Sequence, residues 1–314
     1  MRRLALFGAV LGFVRVAAAG TVWIDTDVSI GSPIREVDDA YALVLAFHSP
    51  EIRIAGVSTT YGNASVVATT RAAKDLVTRF GAAAGLKADQ VFPGARSAAD
   101  FGRRSEASEA LAAAVAKGSV TYVALGPLTN LATFLRLHPG SARKIERVIF
   151  VGGQARGTTL SLGPRRSFHI HDANVFKDPA AAEAVVRSRI PLTLVPIATG
   201  SALALSEENL RELERNGGAG SYLERRSKVW LWFWTHLVKT NGGPIFDALA
   251  IVTAVRPELV STKKRSAKMD AAGNLIVTGR LTSGARPVSY CSQVGTRTKS
   301  FVLRRLVRRS AGHD

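Results

Sequence analysis

A chain of 314 residues with 46% hydrophobic side chains and a mean hydropathy of +0.11 is long enough for a large α/β domain with a real core, and the composition excludes a disordered or fibrous protein. Its 42 Lys and Arg outnumber 24 Asp and Glu, giving +18 and a pI near 10.8, but the densest basic runs, "TKKRSAK" from Thr262 and "LRRLVRRS" from Leu303, lack the interleaved aromatics of a base-stacking groove. They read as a solvated basic face and a basic C-terminal tail, with no specific nucleic-acid partner. One cysteine, Cys291, excludes an internal disulfide and a Cys-rich zinc site.

In chain order, "MRRLALFGAVLGFVRVAAAG" joins basic Arg2 and Arg3 to an apolar stretch and an A-x-A pattern at Ala17, Ala18 and Ala19. This predicts a secretory signal over residues 1–19 and an exported mature chain over 20–314. Arg15 and the short apolar run argue against a membrane span there, and no later segment reads as one. "TVWIDTD" then predicts a buried strand, and "VDDAYALVLAFHS" a helix. The pair recurs: "IRIAGVSTT" precedes a helical Val66 to Phe80, "VTYVALG" precedes a helical Leu128 to Leu137, and "IERVIFVGG" and "IPLTLVPI" flank a helical "DPAAAEAVVRS". Ser206 to Val255 reads as helical and Met269 to Val302 as short strands. Such alternation predicts a single α/β domain with a mostly parallel central sheet flanked by helices. No Pro, Gly or Ser-rich linker divides it, and self-association into a homo-oligomer is left open.

Ligands of open α/β sheets bind beyond the carboxyl ends of the strands. Asp25, Asp27, Tyr61, Gly62, Asn63 and "GPLTN" all fall there, with Asp172, Asn174 and Asp247 in later loops. Asp25, Asp27, Asp38 and Asp39 lie close together, and crowded carboxylates stay ionised only if a cation or several donors compensate them. The oxygen-only donor set favours a hard ion, Ca²⁺ or Mg²⁺, over zinc. Helix capping is the competing role for Asp38 and Asp39.

"DTD...DDAYAL", "GVSTTYGN", "ALGPLTNLA", "VIFVGG", "DANVFKDPAAA" and "PIFDALAI" together resemble, in order and rough spacing, the inosine-uridine-preferring nucleoside hydrolases from Thr21 to Val255. The resemblance implies N-glycosidic cleavage of a ribonucleoside by a Ca²⁺-activated water. It implies Asp27, Asp39, Asp247 and the Thr129 carbonyl as metal ligands, and Asp27 as the residue that takes the water proton. Asp38, Asn63, Asp172 and Asn174 would surround the ribose, and Asp25 would orient its neighbours.

Three departures accompany it. Ten residues, Val28 to Val37, stand between DTD and DD, where the family has about three. Position 172 is Asp where the family commonly has Glu. Phe246 precedes Asp247 where the family often places a proton-donating His. Purine leaving groups then require another acid, with His236, His169 and His171 as candidates, or stacking on Trp232 or Trp234. Arg165 and Arg166 are candidates for contacting the base or a phosphate.

Two rival readings are an exported, non-catalytic riboside-binding protein and a haloacid-dehalogenase-like phosphatase with Asp25 as nucleophile and Asp27 as acid. The phosphatase leaves "YGN" and "GPLTN" without a role. A dinucleotide site is disfavoured because no G-x-G-x-x-G follows the first strand.

Overall fold

The computed structural model describes residues 20–31, 36–155, 160–280 and 283–308. The expected signal, residues 1–19, and residues 32–35 of the long Val28 to Val37 segment lie outside them. The elements run β1 (Gly20–Thr26), α1 (Asp38–Phe47), β2 (Ile52–Thr59), α2 (Val66–Phe80), β3 (Val91–Pro93), α3 (Glu106–Lys117), β4 (Val120–Ala124), α4 (Thr129–Leu137), β5 (Ile145–Val151) and β6 (Gln154–Ala155). A hairpin of β7 (Leu160–Leu162) and β8 (Phe168–Ile170) leads to α5 (Ala173–Lys177), α6 (Pro179–Arg187), β9 (Leu192–Val195), α7 (Ile197–Gly200), β10 (Ala204–Leu205), α8 (Glu207–Arg215) and α9 (Gly218–Trp232). β11 (Gly243–Pro244), α10 (Ala248–Val255), β12 (Val260–Met269), β13 (Leu275–Thr278), β14 (Arg286–Val294) and α11 (Thr298–Leu306) complete the chain.

Ten strands form one sheet in the order β3-β2-β1-β4-β5-β9-β14-β12-β13-β6. Pairing is parallel from β3 through β14, antiparallel on both sides of β12, and parallel again between β13 and β6, so the sheet is mostly parallel, as expected. Apolar layers cover both faces. One contains α1, α10 and α11, and the other α4 and α6. The chain reverses its direction of winding between β1 and β4, the crevice where parallel sheets take their ligands.

α1 is buried at every position, and α10 at all but Ala254, so neither shows the polar stripe of a surface helix. The helices nearer solvent carry ordinary start signals. Ser65 caps α2, Ser206 caps α8, and Asp178 caps α6 ahead of Pro179.

Both basic segments belong to regular elements. "TKKRSAK" lies in β12, where Ser266 and Ala267 are buried although Thr262 to Lys264 face solvent. The run from Leu303 belongs to α11, whose Phe301, Val302, Leu303 and Leu306 are buried. Arg305 there donates to the His48 carbonyl at 2.8 Å and pairs with Glu51, so this part of the tail is docked. Long basic side chains let a strand or helix bury one side while their charges reach water. Among the described residues, no helix is long and apolar enough to cross a membrane.

Candidate active site

β1 delivers its last residues into the crevice beside β2 and β4, with Asp25 in register with Ser58 and Ala124. Asp25 accepts hydrogen bonds from Ser58 Oγ at 2.5 Å and Asn130 Nδ2 at 2.8 Å, while Ser58 accepts one from Trp23 Nε1 at 2.8 Å. Burial pushes the Asp25 carboxyl up to about 6 against the pull of these donors. Asn130 also donates to the Thr59 carbonyl and accepts from Ala95 N–H. Asp25 thereby ties β1, β2 and the start of α4 together beneath the site.

Asp27 accepts from the Asn63 backbone N–H at 2.7 Å and pairs with Lys177 Nζ at 3.5 Å. Burial and the charge of Asp39 push it up to about 8, with Lys177 and Asn63 opposing the rise. The glycines of "YGN" and "GPLTN" make room for it. At Gly62, whose φ is +156°, a Cβ would stand 1.8 Å from Asp27 Oδ2, and at Gly126 one would stand 2.9 Å from Oδ1. A side chain at position 62 would displace the carboxylate outright.

Asp38 and Asp39 open α1, and Asp247 precedes α10; the two helices pack together. One carboxylate oxygen from each of the three lies within 4.8 Å of the others. Asp39 is held by Thr26 Oγ1 and by Asn63 Nδ2, the latter at 3.1 Å, and neither Asp38 nor Asp39 supplies a side-chain cap to α1. Burial first, then neighbouring acids, raises Asp38 and Asp247 well above the ordinary carboxylate range; burial also raises Asp39, which Thr26 opposes. Buried acids converging with only oxygen donors fit a hard divalent cation. The helix N-termini add partial positive charge, which also favours acids there.

The carboxylates open onto a cavity of about 430 Å³. Asp27, Glu36, Asp38 and Asp247 contribute acidic lining, while Phe168, Phe233, Trp234 and Phe246 contribute aromatic lining. Phe233 and Trp234 lie in a π-helical turn, Phe233–Leu237, that follows α9. Trp234 contacts Phe168, Phe233 and Phe246 edge-on, with ring centroids 5.8, 5.7 and 6.3 Å away. Such turns inside helices recur where a side chain must be re-aimed.

The remaining expected residues divide. Asn63 and Asn174 line the cavity, and Asn174 Nδ2 donates to the Leu125 and Val151 carbonyls at 2.7 and 3.0 Å. Asp172 instead caps α5 and accepts from Gly153 N–H at 2.6 Å; burial raises it to about 6. The Thr129 hydroxyl donates to Asp178 at 2.6 Å, joining α4 to α6. His169 and His171 line the cavity, whereas His236 stacks on exposed Trp232 beside another hollow, with centroids 5.5 Å apart.

Sequence reasoning missed Lys177 and Glu36. Lys177 sits within the quoted "DANVFKDPAAA", and its charge among so many acids was the available signal. Glu36 belongs to the long Val28 to Val37 segment, whose described ends are anchored: Val28, Ile30 and Val37 are buried, and Ser29 Oγ donates to the Glu36 carbonyl at 3.1 Å. Trp230 Nε1 donates to the Glu36 carboxylate at 2.8 Å, while burial pushes that acid up to about 7.

The profile of the inosine-uridine preferring nucleoside hydrolases matches residues 22–304. The chain is 32% identical over 278 residues to uridine nucleosidase 1 of Arabidopsis thaliana, covering 80% of this chain and 78% of that protein. It is 28% identical to a pyrimidine-specific ribonucleoside hydrolase of Enterobacter sp. (strain 638), covering 85% and 89% respectively. A solved plant nucleoside hydrolase shares the fold with a TM-score of 0.77, at 24% identity and over 93% of this chain and 100% of that one. A profile match across nearly the whole described chain, on a sheet whose crevice gathers buried acids beside an aromatic cavity, places this protein in the inosine-uridine preferring nucleoside hydrolase family.

Proposed function

We propose that this nucleoside hydrolase cleaves the N-glycosidic bond of ribonucleosides with Asp27 as the proton acceptor and Ca²⁺ as the ion of its acidic cluster. The observation that carries the reading is the convergence of Asp38, Asp39 and Asp247 next to Asp27, with Asp27, Asp38 and Asp247 lining one cavity. Asp39 and Asp247 would hold the ion, with Asp27 and the Thr129 carbonyl completing the set and Asp38 shared between ion and ribose hydroxyls. When bound, Ca²⁺ supplies Lewis-acid activation of a water and a grip on the sugar diol.

The chain's own groups do the rest. Asp27 accepts the proton of the attacking water, and Lys177 and Asn63 keep its carboxylate aimed. The surrounding acids stabilise the positive charge that builds on the ribose as the bond to the base breaks. Asn63 and Asn174 border the sugar, and Asp172 holds the short helix that carries Asn174. Two relatives named for uridine or pyrimidine substrates support pyrimidine ribosides as the first to try.

The test is a screen of purified protein against uridine, cytidine, inosine and nicotinamide riboside, with and without a calcium chelator. Release of ribose that stops in chelator and returns with added Ca²⁺ is the expected result. Tight riboside binding with no turnover, Ca²⁺ being present, would favour the non-catalytic reading instead. Export of residues 20–314 is part of the same proposal and rests on the signal-like first nineteen residues; N-terminal sequencing of the mature protein decides it.

A further inference from the structure

We propose that the site favours ribosides joined through a positively charged ring nitrogen, the pyridinium class that includes nicotinamide riboside, and that Glu36 is the residue that selects them. The inference names a substrate class for the hydrolase reading and rests on it. A riboside with its sugar at the acids places its base at the aromatic end of the cavity, where Phe168, Phe233, Trp234 and Phe246 suit a flat ring. A neutral base leaves as an anion unless a proton reaches it, and this wall has no acid to supply one. Phe246, beside Asp247, is buried hydrocarbon packed edge-on against Trp234. The cavity histidines stand apart from the wall: His169 alternates to the face of β8 opposite Phe168 and lies 2.8 Å from Ser161 Oγ, and exposed His171 follows the end of that strand. A ring whose nitrogen already carries the positive charge needs no donor, because it departs neutral.

The acids point the same way. Asp27, Asp38, Asp39 and Asp247 have roles at the ion, the water and the sugar, which leaves Glu36 as a carboxylate on the cavity with none. One of its oxygens accepts from Trp230 Nε1 at 2.8 Å, and the other has no hydrogen-bond partner among the described residues. Trp230 stands one helical turn before Trp234, where α9 runs on into the π-helical turn, so this bond ties the carboxylate to the support of the aromatic wall. On its other side Glu36 adjoins Asp38, on which its charge acts more strongly than that of any other acid. Glu36 thus stands between the acids of the sugar and the rings that face the base. Aromatic rings and a fixed anion together recognise a flat cation, the rings through their quadrupoles and the carboxylate through its charge.

The step balances with water as the only co-reactant. As the C1′–N bond breaks, its electron pair passes to the ring nitrogen and cancels the charge there, so the base leaves as a neutral molecule. The water oxygen bonds to C1′, and the proton it sheds goes to Asp27 and then to solvent. The positive charge of the substrate moves from the ring to the ribose within reach of the same acids.

The experiment measures kcat and KM of the full chain and of Glu36→Gln on nicotinamide riboside, uridine and inosine, corrected for uncatalysed hydrolysis. It is run in excess Ca²⁺ at about pH 8, above the value of about 7 to which burial raises Glu36. Glutamine is nearly the same size and can still accept from Trp230. The unaltered protein is expected to favour nicotinamide riboside over uridine and inosine by about 100-fold or more in kcat/KM, the scale of the general acid that neutral bases would need. In Glu36→Gln that preference should fall about tenfold, through a higher KM for nicotinamide riboside. The intrinsic weakness of a bond to a charged nitrogen does not change with a side chain, so such a shift belongs to the site. Uridine or inosine cleaved as well as nicotinamide riboside, or a preference that Glu36→Gln leaves within about twofold, would overturn the inference and leave the hydrolase reading intact. An unaltered protein that cleaves none of the three would overturn both.

Discussion

Asp27→Asn is expected to lower ribonucleoside turnover by about 10³-fold while leaving the chain folded. The amide is nearly the same size and can still accept from the Asn63 N–H, so the Gly62 and Gly126 walls around it need not move. It cannot take a proton from water, and a general base of this kind contributes roughly 10² to 10⁴ in rate, with further loss if the ion is held less firmly. Stability without metal should be unchanged or higher, because the substitution removes a buried acid that burial and Asp39 already disfavour in its charged form. Single-turnover kinetics at saturating uridine, beside a thermal melt, checks both halves. Activity within tenfold of the unaltered protein would strip Asp27 of its role as base.

The second large effect concerns stability, pH and the ion together. Asp25, Glu36 and Asp27 are raised to about 6, 7 and 8, above the ordinary values of 3.8 for Asp and 4.5 for Glu. The folded chain therefore keeps protons that the unfolded chain has already released. Stability should fall as pH rises from about 4 to about 8, the opposite of a carboxylate held by a salt bridge. Each pKa unit corresponds to about 1.4 kcal/mol before relaxation and screening, so a loss of several kcal/mol, or on the order of 10 °C in Tm, is expected between about pH 5 and pH 8 in chelator. Saturating Ca²⁺ should flatten that slope, because the ion replaces protons as the compensating charge. Melting curves at both pH values with and without Ca²⁺ give the answer. A Tm that ignores both chelator and pH would mean the acids do not form a cation site.

Much of this site was legible because its parts sit at strand ends with polar residues in fixed order. "DTD", "YGN" and "GPLTN" each follow a strand, and alternating strands and helices imply a parallel sheet that gathers those ends in one crevice. Less legible was which acids converge. Asp38 and Asp39 are adjacent in sequence, but Asp247 joins them through the packing of α1 on α10, which the family resemblance implied for Asp39 and Asp247 and no local pattern signalled. Asp172 has the expected position in the chain, yet its short side chain is taken by the Gly153 N–H and the start of α5. β12 was hidden for another reason. Basic residues dominate its sequence, so the alternation that marks a half-buried strand was masked by side chains that carry their charge past the surface.

The almost wholly buried α1 and α10 also have a consequence for biogenesis. A chain made from its amino end displays Asp38 and Asp39 long before Asp247 exists, and neither helix has a water-compatible side on which to wait. Contacts between segments so distant form late and slowly. A cation held there would thus clasp a finished molecule and not seed its folding, so a carboxy-terminally truncated chain would keep most of the acidic residues and is expected to be metal-blind.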